Sequence, residues 1–195
     1  MKIILASKSG VRKKILDDHN IDCEVQISNV DEDEIKVSLL NEGADPYTVS
    51  KNLAEIKSIK VSCKNPDRLV LGADSVISLN GELINKPKSR EEALDILKRL
   101  NNSKHYLISS VCISKNGAMI WNHTDSSELK MKNHTEKDLL KYLEEIKTET
   151  LLAYGVYQVE AQGLKLFEQI KGDKNSIMGL PIKDIINYIR EYKND

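Results

Sequence analysis

Residues 69–87 read LVLGADSVISLNGELINKP, and the fold is organised around them. The run at 69–71 is apolar without alternation, which is typical of a short strand buried on both faces. Gly72 allows another backbone or a ligand to approach closely, and Asp74 follows it almost at once. The Asn-Gly pair at 80–81 is a strong signal for a two-residue hairpin turn. The stretch therefore predicts a buried central strand, a carboxylate at its end, and a hairpin.

The hairpin returns the chain to Lys86, so an acid and a base could face one pocket. On this interpretation Asp74 lies at a break between two strands, because the apolar pattern resumes at Val76. The alternative is that Asp74 belongs to a turn and that Lys86 is solvated, since Asp is a common turn residue.

A helix with basic residues in its first turn is predicted directly after a strand over residues 2–6. Ser9 is a good N-cap, yet Arg12 and Lys13 lie in the first turn, where cations are unfavourable for the helix dipole. An anion at the helix N-terminus would explain them, because backbone N–H groups and the hydroxyls of Ser7 and Ser9 could bind phosphate oxygens. The alternative is a solvated basic face. Neither a Walker loop nor a Gly-x-Gly-x-x-Gly pattern is present.

A second predicted helix covers residues 45–62, and its lysine at position 57 stands out. At about 100° per residue, Lys57 falls on the border of the apolar stripe. Its stem can therefore be buried while its ammonium points into a cleft, or it is an ordinary snorkelling lysine.

Composition excludes several classes of protein. The net charge of −1 gives no basic field for nucleic acid. Three distant cysteines indicate neither a disulfide framework nor a zinc site. The N-terminal apolar run is too short for a signal peptide, and no later run has membrane-spanning length, so we expect a cytoplasmic protein.

Gly-Ala-Asp-Ser at 72–75, followed after a hairpin by Lys-Pro at 86–87, resembles the centre of the Maf family of nucleotide pyrophosphatases. Five further segments match that family in the same order along nearly all 195 residues. They are Ser-Lys-Ser with Arg-Lys at 7–13, Val-Asp-Glu at 30–32, Leu-Ala with a lysine at 53–57, the connection at 100–111, and Gly-Leu-Pro at 179–181.

The resemblance implies a single Maf-like domain over residues 1–195. It implies an α/β fold of the Maf and ITPase type, with a mixed, elongated β-sheet flanked by helices and two lobes with a central cleft. The strand and helix pattern also favours a mixed sheet. The expected reaction cleaves a nucleoside triphosphate between its α and β phosphates, giving a monophosphate and pyrophosphate. A homodimer is implied, with no nucleic acid or membrane as partner.

The resemblance also assigns roles to residues. Asp74 would orient and deprotonate the attacking water or bind the metal, and these two roles remain open. Glu32, with Asp31 second, is the other carboxylate for a divalent cation, Mg²⁺ or Mn²⁺, although four acids at 31–34 are usually a solvated loop. The expected substrate-binding residues are Ser7, Ser9, Arg12, Lys13, Lys57, Lys86 and Glu160. Lys13 stands where the family has a second arginine, so the bidentate fork is lost.

The segment at 154–172 carries the subfamily signal. Its Tyr157-Gln158-Val159-Glu160 sequence looks more like the 7-methyl-GTP branch than the dTTP and UTP branch. A carboxylate can accept hydrogen bonds from the N1–H and N2–H₂ edge of guanine and favours a cationic base. The alternatives are an exposed Glu160 in a dTTP or UTP pyrophosphatase, or a nucleotide-binding regulator of cell division that hydrolyses nothing.

Overall fold

The structure is a computed structural model that describes residues 2–159 and 161–194. These residues form a seven-stranded mixed sheet flanked by helices. The strands are β1 (Ile3–Leu5), β2 (Cys23–Val25), β3 (Val70–Leu79), β4 (Glu82–Ile84), β5 (Lys104–Lys115), β6 (Ala118–Met131) and β7 (Phe167–Lys171). The helices are α1 (Gly10–Asp18), α2 (Glu32–Asn41), α3 (Pro46–Ser62), α4 (Arg90–Leu100), α5 (Glu136–Glu144), α6 (Thr148–Tyr154), α7 (Lys174–Ile177) and α8 (Ile182–Asn194), with a 3₁₀ turn at Gln162–Leu166.

The sheet confirms the expected mixed α/β fold. Its strand order is β2-β1-β3-β5-β6-β7, and β4 pairs with β3. Strand β1 is parallel to both β2 and β3, whereas the β3–β4 and β6–β7 pairs are antiparallel. The parallel pairs require crossover connections, which α1 supplies between β1 and β2.

The chain divides into two compact units, each with its own apolar core. Unit 1 is Met1–Ser75, Ile108–Ser126 and Asp173–Asp195, and its core includes Leu5, Leu71 and Ile185. Unit 2 is Val76–Leu107 and Ser127–Gly172, with Leu97 and Leu129 fully buried in its core. No helix among the described residues is long and apolar enough to cross a bilayer.

Caps and turns form at residue types that favour them. Ser89 accepts the N–H of Glu92 at the start of α4, and Thr135 makes a reciprocal capping box at the start of α5. Both hairpin turns have positive φ at the asparagine and at the glycine, with 52° and 84° at 80–81 and 53° and 76° at 116–117. This backbone conformation is the one that a type I′ turn requires.

Two features differ from the expectations. Strand β3 runs without interruption from Val70 to Leu79, so Asp74 lies within a strand and not at a break. The acidic run begins α2, whose N-cap Asp31 accepts the N–H of Glu34 at 3.1 Å. Acidic side chains are favourable in a first helical turn, which explains why four acids start a helix here. None of the α2 residues is fully buried, and this weak apolar signal explains why the sequence did not predict the helix.

Candidate active site

A buried ion pair between Asp74 and Lys57 forms the centre of the candidate site. Asp74 lies on β3 and Lys57 on α3, and each residue is only 5% exposed. The Lys57 Nζ donates a hydrogen bond to Asp74 Oδ1 at 2.8 Å. Because charged groups are seldom buried unless they are paired, this contact explains how both can lie inside unit 1.

Gly72 brings the two elements that carry this pair into direct contact. A Cβ atom at position 72 would lie 2.2 Å from the carbonyl oxygen of Ala54 and 2.8 Å from the backbone nitrogen of Ser58. The absence of a side chain therefore lets α3 pack on β3, with Lys57 between the two contact residues. Ser50 of the same helix donates its hydroxyl to the Asp74 carbonyl at 3.3 Å.

Glu32 is the second carboxylate of the cluster. It is the first residue of α2, and its Oε1 lies 2.8 Å from Lys57 Nζ. The ammonium of Lys57 is thus in contact with two carboxylates from different elements. The sequence predicted a border position for Lys57, and its contact with phosphate stays a prediction.

The chemistry of these oxygens is compatible with a divalent cation. Asp74 Oδ2 is buried, and none of the described residues forms a hydrogen bond with it. A lone buried acceptor of this kind is costly unless a ligand occupies it. The described ranges contain no group of three or more His, Cys, Asp or Glu side chains suited to a metal. Asp74 and Glu32 therefore fit Mg²⁺ held by one or two carboxylates and completed by water and phosphate oxygens.

Arg12 of α1 joins three segments of unit 1. Its Nε donates to the Gly179 carbonyl at 2.9 Å, and its Nη1 donates to the Ala73 carbonyl at 2.9 Å. Its Nη2 donates to Ser75 Oγ at 3.1 Å. Burial lowers the pKa of Arg12 from its ordinary value, and the nearby charges of Asp74 and Glu32 partly oppose this effect.

The hydroxyls of Ser7 and Ser9 are arranged at the N-terminus of α1. Ser7 Oγ accepts the Ser9 N–H at 3.2 Å and an Arg12 Nη1–H at 3.3 Å, and Ser9 Oγ accepts the Arg12 N–H at 3.3 Å. With both lone pairs of Ser7 in use, its O–H group is oriented to donate. A donor beside a helix N-terminus is suited to an anionic oxygen.

Lys13 is turned towards its own helix. Its Nζ forms an ion pair with Asp17, one turn further along α1, and that hydrogen bond raises the pKa of Lys13. The charges of Cys23 and Asp22 also raise the pKa of Lys13, whereas those of Asp74 and Glu32 raise the pKa of Arg12 against the effect of burial. The two basic residues therefore point to different surroundings, and a substrate contact by Lys13 stays a prediction.

The other expected substrate residues belong to unit 2. Lys86 Nζ donates to the carbonyl of Ala153 at 2.9 Å, which ties the end of the β3–β4 hairpin to α6. Glu160 lies outside the described residues. His105 is fully buried, and its Nε2 lies 2.8 Å from the hydroxyl of Tyr157.

Several members of the network were missed from the sequence. The side chains of Ser50 and Ser75 carried no pattern that distinguishes them from ordinary core or turn serines. The Gly-Leu-Pro motif was a sequence signal for this network. In the structure Gly179 has φ of +94°, and an added Cβ there would lie 3.1 Å from Ser75 Oγ. The three-charge contact of Lys57 was not predicted, because charge pairing between distant segments leaves no local periodicity.

Comparison with known proteins supplies the family. A family model described as Maf-like protein matches residues 2–192. A nucleoside triphosphate pyrophosphatase of Pelagibacter ubique is 57% identical over 192 residues, which cover 98% of each chain. A 7-methyl-GTP pyrophosphatase of Rhizobium etli is 34% identical and covers 97% of this chain and 96% of that one. The solved structure of a HAM1 protein from Coxiella burnetii gives a TM-score of 0.46 at 14% identity, covering 69% of this chain and 74% of that chain.

Proposed function

Since this chain belongs to the Maf family, we propose that it is a nucleoside triphosphate pyrophosphatase that hydrolyses the bond between the α and β phosphates. The 57% identical relative that bears this activity in its name supports the reaction class. Among the structural features, the observation that carries the proposal is Asp74, with one oxygen held by Lys57 and the other buried without a described partner.

In the proposed reaction Asp74 acts on the attacking water. The hydrogen bond from Lys57 fixes the carboxylate, so Oδ2 has one orientation when the substrate arrives. A water that donates to Oδ2 would be aligned with the α phosphorus and would transfer its proton to the carboxylate as the new P–O bond forms, while the bond from the α phosphorus to the bridging oxygen breaks and pyrophosphate leaves. Because the residue is nearly excluded from solvent, little reorganisation is needed at that step.

The other role open to Asp74 is metal binding, in which Asp74 and Glu32 would hold a divalent cation. When bound, such an ion lowers the pKa of a bound water and neutralises charge on phosphate oxygens. Lys57 already lies between these carboxylates, so its ammonium limits their mutual repulsion before substrate binds.

Hydrogen-bond donors at the start of α1 would bind the polyphosphate. Ser7 and Ser9 would donate their hydroxyls, and Arg12 would add a positive charge while it keeps Ser7 in place. Phosphoryl transfer depends mainly on such positioning and charge neutralisation. Lys13, Lys57 and Lys86 are the other proposed phosphate contacts, for which Lys13 would release Asp17 and Lys86 would release the Ala153 carbonyl.

For the substrate we propose 7-methyl-GTP. The 34% identical relative from Rhizobium etli is named for that activity, and the sequence of this chain has Glu160 where a carboxylate could accept the guanine edge. A methylated, cationic guanine would gain more from that carboxylate than a neutral pyrimidine would.

The test is pyrophosphate release by the purified protein with Mg²⁺ or Mn²⁺ on a panel of 7-methyl-GTP, GTP, dTTP, UTP and CTP. We expect the highest kcat/KM for 7-methyl-GTP, and the Glu160→Gln variant should lose that preference while keeping turnover of the other nucleotides. Preference for dTTP or UTP would leave the reaction in place and reject the substrate. Tight binding of a nucleotide without turnover would reject the reaction in favour of a regulator.

A further inference from the structure

His105 and Tyr157 form a buried polar pair inside the core of unit 2. Both side chains are enclosed, and His105 Nε2 lies 2.8 Å from the Tyr157 hydroxyl. The two rings pack with Phe167, whose centroid lies 4.9 Å from that of Tyr157 in an edge-on arrangement. Burial lowers the pKa of His105 to about 4, so the imidazole is neutral near pH 7.

This pair is polar where its surroundings are apolar. His105 Nδ1 is buried beside the backbone of Ser103, whose hydrogen bond partly opposes the effect of burial on the pKa of His105. Buried polar groups are held by specific partners, so the contact between the imidazole and the phenol fixes where the Tyr157 hydroxyl lies.

The geometry that they fix is the course of the chain after α6. The hydroxyl of Tyr142 donates to the Val156 carbonyl at 3.2 Å, directly before Tyr157. Further on, Gly163 lies against the backbone of Gln158, where a Cβ would be 2.5 Å from the carbonyl oxygen. Two buried hydroxyl contacts and one glycine contact thus hold both ends of a short stretch, whose residues Ala161 and Gln162 are exposed.

The stretch begins beside a proposed substrate contact. The carbonyl of Ala153, three residues before Val156, accepts the hydrogen bond of Lys86. Unit 2 therefore connects the proposed phosphate lysine and the stretch that follows α6 through one backbone carbonyl. In the sequence, the same stretch contains Glu160.

We propose that His105 is a positioning residue for nucleobase selection, which acts through the Tyr157 hydroxyl on the stretch between Val156 and Gly163. The proposal rests on the proposed function, because it assumes that this stretch reads the base. His105 itself touches no substrate. Its effect is on KM and on the choice between nucleotides, whereas the hydrolytic step depends on Asp74 and Lys57 in unit 1.

The decisive variant is Tyr157→Phe, which keeps the ring and its packing with Phe167 and removes only the hydroxyl. We expect the ratio of kcat/KM between the preferred and the disfavoured nucleotide to fall by about five- to tenfold, the effect of one lost neutral hydrogen bond. The fall should come from KM of the preferred nucleotide with kcat unchanged. His105→Gln should act in the same direction.

A matched control is His134→Gln, in the same unit. His134 Nε2 lies 3.0 Å from the Leu166 carbonyl, so the substitution also removes a histidine contact but spares the Tyr157 hydroxyl. It should lower the melting temperature without changing the nucleotide preference. If Tyr157→Phe likewise lowers only the melting temperature, the proposal is wrong and the pair is merely structural.

Binding measurements separate this proposal from the proposed function. Calorimetric titration of 7-methyl-GMP and UMP reports base contacts without any turnover. If the wild-type protein releases no pyrophosphate, the reaction is rejected, and a Tyr157→Phe change in the ratio of the two dissociation constants would still support the positioning role. An unchanged ratio, or no binding of either monophosphate, would reject it.

Discussion

Replacing Gly72 by alanine tests how the contact between α3 and β3 creates the site. The new methyl would lie 2.2 Å from the Ala54 carbonyl oxygen and 2.8 Å from the Ser58 nitrogen. Both are backbone atoms of α3, so no side-chain rotation can relieve the clash. To reach 3.0 Å, below which Cβ contacts essentially do not occur, the helix must move by about 0.8 Å.

That displacement acts directly on the buried ion pair. Lys57 lies between the two contact residues on α3, and Asp74 follows Gly72 by two residues on β3. An outward shift of this size would stretch the Nζ–Oδ1 distance from 2.8 Å to about 3.6 Å, which is beyond a hydrogen bond. Overpacking costs about 1–3 kcal/mol, and the weakened ion pair adds to it. Because a 1 Å misplacement of a catalytic group can cost about 100-fold, kcat/KM should fall by that order.

The assays are urea denaturation for the free energy of unfolding and pyrophosphate release for kcat/KM. Gly10→Ala is the control for stability, because a Cβ at the first position of α1 meets nothing within 4 Å. That variant should gain up to about 1 kcal/mol of stability, whereas Gly72→Ala should lose stability. A Gly72→Ala protein with wild-type stability and wild-type turnover would refute the reasoning.

Three further substitutions test separate contacts. Arg12→Lys should lower the free energy of unfolding by about 2–3 kcal/mol in urea denaturation, because one ammonium cannot reach the three oxygens that the guanidinium contacts outside its own helix. Lys57→Met should lower the free energy of unfolding by about 3 kcal/mol in urea denaturation, because it removes the buried ammonium that contacts Asp74 Oδ1 and Glu32 Oε1; a loss below about 1 kcal/mol would contradict the pairing. His105 binds a proton less readily in the folded protein, with a pKa of about 4 against 6.5, so its stabilising contribution is present above pH 6.5 and lost as the pH falls towards 4. Between pH 7 and pH 5 the free energy of unfolding of the wild-type protein should therefore fall by about 2 kcal/mol more than that of His105→Gln. Equal decreases for the two proteins would show that the imidazole is accessible to solvent.

Local signals in the sequence predicted most of the elements. The Asn-Gly pair at 80–81 predicted its hairpin, and Ser9 predicted the cap at the start of α1. The position of Lys57 on the helical wheel also predicted that the aliphatic part of its side chain can be buried. These predictions succeed because turn conformation, helix capping and amphipathic periodicity are set by neighbours within a few residues.

The features that the sequence did not predict depend on contacts between distant segments. The apolar run stops at Gly72 and resumes at Val76, which predicts a strand break at Asp74. In the structure the glycine allows α3 to pack closely, and β3 continues through it. The bonds of Arg12 reach positions 73, 75 and 179, and no periodicity predicts such contacts. The acidic run at 31–34 predicts a loop, whereas it begins α2, because the apolar face of this helix is weak and none of its residues is fully buried.

The central claim is tested most directly by product analysis of the wild-type protein and Asp74→Asn. With Mg²⁺ and 7-methyl-GTP, the wild-type protein should yield one monophosphate and one pyrophosphate per substrate. Asparagine can still accept the Lys57 hydrogen bond but cannot take a proton, so the variant should bind 7-methyl-GMP normally and turn over about 1000-fold more slowly. Orthophosphate as the product, or wild-type turnover by Asp74→Asn, would contradict the account.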